Sequence, residues 1–161
     1  GGGLTGIMGE PSSPVLTTRD AAILRGLIGR YGAVADRWIR DKLARARIVL
    51  PECVGRDIVT LNSRVTFAVE DASPDMRIVI HSDAAAVRGM TLPVHGRRGL
   101  ALLGARAGET VALTHDDGRR ERLRVVALAY QPEAAARPRS GAVVVPFSGR
   151  AGPGSWAGGA A

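Results

Sequence analysis

Residues 110–130 read Thr110-Val-Ala-Leu-Thr-His-Asp-Asp-Gly118-Arg-Arg-Glu-Arg-Leu-Arg-Val-Val-Ala-Leu-Ala-Tyr130. Two apolar and β-branched runs flank Asp117-Gly118, and Leu123 and Val125 alternate with Arg122 and Arg124. An alternation of period two buries one face of a strand and leaves the other in water. Asp-Gly supplies the two positive φ angles of a type I′ turn. The stretch predicts a β-hairpin pairing Thr110–Thr114 with Glu121–Tyr130.

Working back along the chain, Ile58–Leu61 and Val65–Val69 predict one long strand or two, divided around Asn62-Ser63. Arg77–His81 predicts a further strand and Met90–His95 another. Gly99-Leu-Ala-Leu-Leu-Gly104 suits a single buried helical turn bracketed by glycines. Earlier still the period becomes helical. Thr17 or Thr18 can cap a helix in which Leu24, Leu27, Ile28 and Tyr31 share a face, with Gly32 placed to end it. Ala35, Ile39, Leu43 and Ala46 align in a second helix, Trp38 lies beside them, and Pro51 closes the run. A tight connection between two short amphipathic helices predicts an antiparallel hairpin. The order of elements is α+β: a short helical hairpin, then a bent antiparallel β-domain with one short helix.

The expected divisions are an unstructured 1–16, a hairpin over 17–49, a β-domain over 50–136 and a Gly/Ala/Pro-rich tail over 137–161. In that tail, Val143–Phe147 reads as a short strand or a sticky segment. The β-domain carries its own apolar strands, so it is expected to fold alone.

The net charge of +7 is unevenly spread. Residues 17–47 hold +5, residues 48–136 balance to zero, and residues 137–161 add three arginines. A basic excess points to acidic partners: nucleic acid, nucleotides or an acidic protein groove. Apolar runs fall far short of the roughly 20 residues that span a bilayer, and no charged-then-apolar leader stands out. Cys53 is the only cysteine, which excludes an internal disulfide and fits a reducing, cytoplasmic compartment.

No enzymatic constellation emerges. His81, His95 and His115 are dispersed without zinc-ligand spacing, so neither metal nor cofactor is expected. Cys53 follows Glu52, whose charge opposes thiolate formation. Gly96-Arg-Arg-Gly99 lacks the spacing and the Lys-Ser/Thr of a phosphate loop. Ser63 and Ser82 lack a nucleophile elbow, and Asp116-Asp117 is turn chemistry. Aromatic residues make up 4% of the chain, too few for an evident stacking platform. A helix-turn-helix over 19–47 is conceivable but has no third helix to support it.

Three stretches carry a resemblance. They are Asp57-Ile-Val-Thr-Leu-Asn-Ser-Arg-Val-Thr-Phe67; Gly99–Gly104 followed by Ala-Arg-Ala-Gly108-Glu109; and Leu123–Glu133, ending Ala-Tyr-Gln-Pro-Glu. In that order and spacing they resemble the GreA/GreB family, nearest its short-hairpin branch of nucleoside diphosphate kinase regulators. The resemblance implies an N-terminal antiparallel coiled coil on an FKBP-like β-domain that docks at the rim of the RNA polymerase secondary channel. It further implies core polymerase as the partner of a monomer, with at most weak, non-specific nucleic-acid contact. In transcript-cleavage members, acidic residues at the coiled-coil tip help to hold magnesium. Here the first helix, read as Arg19–Arg30, reaches only about 18 Å. The turn Gly32–Arg37 offers one carboxylate, Asp36, among cations, whereas magnesium needs several oxygens. The resemblance therefore implies channel occupancy without cleavage. It places Arg30, Asp36, Arg37, Arg40 and Asp41 on the hairpin face. Gly96, Arg97, Arg98 and Gly99 form the docking loop, where relatives carry Ser-Pro or Ala-Pro, so a mobile cation replaces a rigid proline. Two rivals remain: a basic hairpin that binds DNA or RNA, and a prolyl isomerase, for which Phe67 and Tyr130 make too poor a pocket.

Overall fold

The computed structural model describes residues 13–138. The hairpin stands where the alternation puts it: β6 (Thr110–Thr114) pairs antiparallel with β7 (Arg120–Tyr130), Val111 opposite Leu123. Its turn is not type I′. Among the central residues only Gly118 has positive φ, +86°. The His115 N–H donates to the Arg119 carbonyl at 2.8 Å, which leaves three residues in the loop. A three-residue loop takes an ordinary turn followed by one left-handed residue, and Gly118 fills that position without a Cβ penalty.

β7 is an inner strand of the sheet. On its other side it pairs antiparallel with β3 (Arg64–Val69), with register shifts at Arg64/Val65 and Thr66/Phe67 that bend the strand. β4 (Asp75–Ile80) follows antiparallel, giving the order β5-β4-β3-β7-β6. The sheet is not wholly antiparallel, because β5 (Thr91–Pro93) runs parallel to β4. The long connection 81–90 carries the chain back to the starting end before β5 begins, where a tight turn would have reversed it. Ile58–Leu61 is not a strand either. Ile58 makes one bridge to Arg106, after which Asn62 turns the chain at φ +70° and Ser63 closes on Thr60. Two short helices take the place of the single expected one: α3 (Arg97–Leu102) and α4 (Pro132–Ala136).

The first helix of the chain, α1, covers Thr18–Leu27, and the Thr17 hydroxyl accepts the Asp20 N–H at 2.9 Å. It ends before Arg30, and Gly32 caps the start of α2 (Ala33–Arg45) rather than the end of α1. Before α1 lies β1 (Val15–Thr17), paired parallel with β2 (Arg47–Val49), so the unstructured reading of 1–16 fails at its last two residues. Residues 1–12 and 139–161, including Val143–Phe147, lie outside the described residues.

One apolar core joins helices and sheet. Leu16, Ala21, Leu24, Leu27 and Ile39 pack in the same cluster as Leu61, Val65, Phe67, Leu102, Leu103, Leu123 and Val125. The two helices are thus seated on the sheet. Removing them would strip the cover from that core. The buried Asp20 carboxylate accepts the Leu61 N–H at 3.0 Å, and burial raises its pKa. At the turn end Tyr31 stacks on His95 with ring centroids 3.8 Å apart. Its hydroxyl donates to Asp83 at 3.1 Å, mooring the turn to the β4–β5 connection.

Candidate functional site

The helical period sets Arg37, Trp38, Asp41, Lys42 and Arg45 along one side of α2. Opposite them lie Arg97, Leu100 and Ala101 of α3, and Val111–Thr114 of β6 forms the floor. An open cleft of about 490 Å³ separates the two sides. Arg37 and Asp41 from the hairpin set and Arg97 from the loop set meet in this cleft. The other sequence-predicted residues do not. Arg30 and Arg40 are exposed elsewhere. Asp36 turns back to accept the Gly29 N–H at 2.9 Å, stapling the turn between α1 and α2. Arg98 forks onto Glu121 at 2.9 and 2.7 Å, and that guanidinium holds the Glu121 carboxyl below the usual carboxylate range.

The loop cations are therefore fixed, which corrects the expectation of a mobile one. The Arg97 guanidinium carbon lies 4.1 Å from the Trp38 ring centroid, and its Nε donates to the Thr114 carbonyl at 3.0 Å. A cation over an indole face is held by the ring quadrupole. Gly96 caps α3, and Gly99 is buried against β5. A Cβ on Gly99 would stand 2.1 Å from the Pro93 carbonyl oxygen, so only glycine permits this approach.

At the back of the cleft the Lys42 ammonium donates to the Leu103 carbonyl at 2.8 Å. A longer contact at 3.5 Å reaches the Ala101 carbonyl. These are carbonyls at the end of α3, which have no partner within the helix and favour a cation. The residues do not fit a magnesium ion. Asp36 is committed to the Gly29 amide, and Asp41 pairs with Arg45 at 3.0 Å. Among the described residues no three His, Cys, Asp or Glu side chains converge on a metal position.

No family model matches the chain. The regulator of nucleoside diphosphate kinase of Escherichia coli (strain K12) is 36% identical over 103 residues. The match spans 63% of this chain and 75% of that protein. The Shigella flexneri protein of the same description gives the same figures. Among solved structures, the prokaryotic transcription elongation factor GreA/GreB from Nitrosomonas europaea superposes with a TM-score of 0.60 at 26% identity. It is covered over its whole length by 75% of this chain. The chain belongs to the GreA/GreB-like family, in its nucleoside diphosphate kinase regulator branch.

In this GreA/GreB-like chain Lys42 is the only lysine beside 21 arginines, and it is buried. A lysine can shed its proton under desolvation, whereas an arginine cannot. Burial, followed by the neighbouring Arg45 charge, pushes the Lys42 ammonium down from 10.5 to about 7. Between those values the unfolded chain binds the extra proton, so stability rises with pH; below them the contribution is flat. From about pH 7.5 to about pH 9.5 the expected gain is about 2 kcal/mol, read from denaturant midpoints. Lys42→Met should abolish that rise. Lys42 is not among the residues that the sequence singled out. Its position seven residues after Ala35 and three after Ile39 puts it on the apolar stripe, and that was the available signal.

Proposed function

We propose that this protein is a transcription regulator that binds core RNA polymerase near the secondary channel and acts there by occupancy, without transcript cleavage. The observation that carries the reading is the cleft, which joins the α2 cations to the α3 loop in one preorganised basic face. Arg97 on Trp38 and Lys42 on the end of α3 hold the two sides in register. A basic face whose two sides are held together suits an acidic protein groove, where little ordering entropy is lost on binding. The Nitrosomonas neighbour, described as a transcription elongation factor, supports the assignment to transcription. The β-domain is read as FKBP-like and the helix pair as a truncated coiled coil. Absence of cleavage rests on Asp36 and Asp41, whose carboxylates are committed within the chain. The reading is tested by competition for core polymerase: a cleavage factor of the GreA/GreB family should be displaced as this protein is added. Simultaneous binding of both would contradict the proposed location.

A further inference from the structure

All the helices that contribute to the core pack on one face of the five-stranded sheet, and the opposite face of β7 carries a row of cations. Leu123 and Val125 are fully buried, so Arg120, Arg122 and Arg124 project from the other side. Successive members of the row stand about 7 Å apart at two residues' rise. Their cross-strand neighbours on β6 are small: Thr114 opposite Arg120, Ala112 opposite Arg122 and Thr110 opposite Arg124. The guanidinium groups therefore rise above a low, hydroxyl-bearing surface. Beyond the bulge, Arg64 of β3 lies over the Tyr130 ring at 5.7 Å, with Tyr130 43% exposed.

The charge on this face is one-sided. Glu70, at the end of β3, is its acidic neighbour, and it binds Arg122 through both the backbone N–H and the guanidinium. Arg122 is still 71% exposed despite that pair. Among the described residues Arg120 and Arg124 make no ion pair. The remaining acid in the strand, Glu121, points to the helix-covered side, where it meets Arg98 and His115. Three arginines in line along β7, with Arg64 further along on β3 and one carboxylate at the edge, complement a chain of regularly spaced anions.

We infer that this sheet face binds single-stranded RNA. An extended strand can lay successive phosphates along Arg120, Arg122 and Arg124, and one base can stack at Tyr130 once Arg64 swings to a phosphate. The Thr110 and Thr114 hydroxyls flank the row and can exchange hydrogen bonds with ribose 2′-hydroxyls, which favours RNA over DNA. The site lies on the other face of the sheet from the α2–α3 cleft, which it adjoins at Ala112 and Thr114 of the β6 edge, and it does not depend on polymerase binding.

The test is fluorescence anisotropy of the full chain with a labelled oligouridylate, across a salt series. The wild type should bind, with affinity falling as salt rises. Arg120→Ala/Arg124→Ala should weaken binding by roughly tenfold or more and flatten the log–log salt slope by about 1.4, through two lost phosphate contacts. Unchanged circular dichroism should accompany that loss, since both side chains are exposed. Arg37→Ala/Arg40→Ala on α2 should bind as the wild type does. No binding by the wild type at low salt, or equal binding by the Arg120/Arg124 variant, would overturn the assignment. So would a loss confined to the α2 variant, or affinity for oligothymidylate or duplex DNA equal to that for oligouridylate. If the Arg120/Arg124 variant instead lost polymerase and kept its RNA affinity, the face would belong to an acidic protein.

Discussion

Gly99→Ala should destabilise the fold by about 3 kcal/mol, the upper end of what overpacking costs. The added Cβ would lie 2.1 Å from the Pro93 oxygen and 2.7 Å from its carbon. Both are backbone atoms, so no rotamer change relieves the overlap. Either α3 lifts or β5 moves, and Leu100 and Leu102 on the same helical turn are buried in the core. Gly96→Ala is the control. Its Cβ would meet the same oxygen at 3.5 Å, an ordinary contact, and its backbone lies in an extended region open to alanine. That variant should stay within about 0.5 kcal/mol of the wild type. Denaturant midpoints for the pair decide whether Gly99 serves packing or, as the sequence suggested, polymerase contact. A stable Gly99→Ala protein that has lost only polymerase would favour contact.

Reversing Arg30, Arg37 and Arg40 to Glu should abolish any effect on transcription while leaving the fold intact. All three side chains are exposed, and none makes an ion pair among the described residues. The cost to stability should be about 0.5 kcal/mol each or less. Arg37 lines the cleft, so its reversal places a carboxylate beside Asp41 in a face argued to meet acidic protein. Like-charge contact across an interface costs several kcal/mol, enough to remove binding in a transcription assay with purified polymerase. Retained activity in the triple variant would separate the hairpin from function.

Residues 110–130 gave up their fold to sequence reading because alternation over the first half of β7 is strict, with buried Leu123 and Val125 set between exposed arginines. The turn type was not legible, since Asp-Gly suits a loop of two residues or three and pairing of His115 with Arg119 decides between them. β1 was missed because three residues are too few to show a period, and its pairing with β2 spans the whole helix pair. The parallel setting of β5 follows from the length of the connection before it, a feature that composition does not reveal. Of the cleft, Arg37, Asp41 and Arg97 were expected, Lys42 and Arg45 were not, and the contacts that hold the cations were not legible. Arg97 meets Trp38, Tyr31 meets His95 and Arg98 meets Glu121, contacts between residues far apart in the chain that leave no local pattern.

The measurement closest to the central claim is a titration of nuclease-treated core RNA polymerase with the full chain. A dye on Cys53, exposed and the only cysteine, would report binding. The account predicts saturable one-to-one binding that weakens with salt and is reversed by an excess of a GreA/GreB-family cleavage factor. No binding to the nucleic-acid-free enzyme, together with a tight sequence-selective complex on duplex DNA alone, would contradict it.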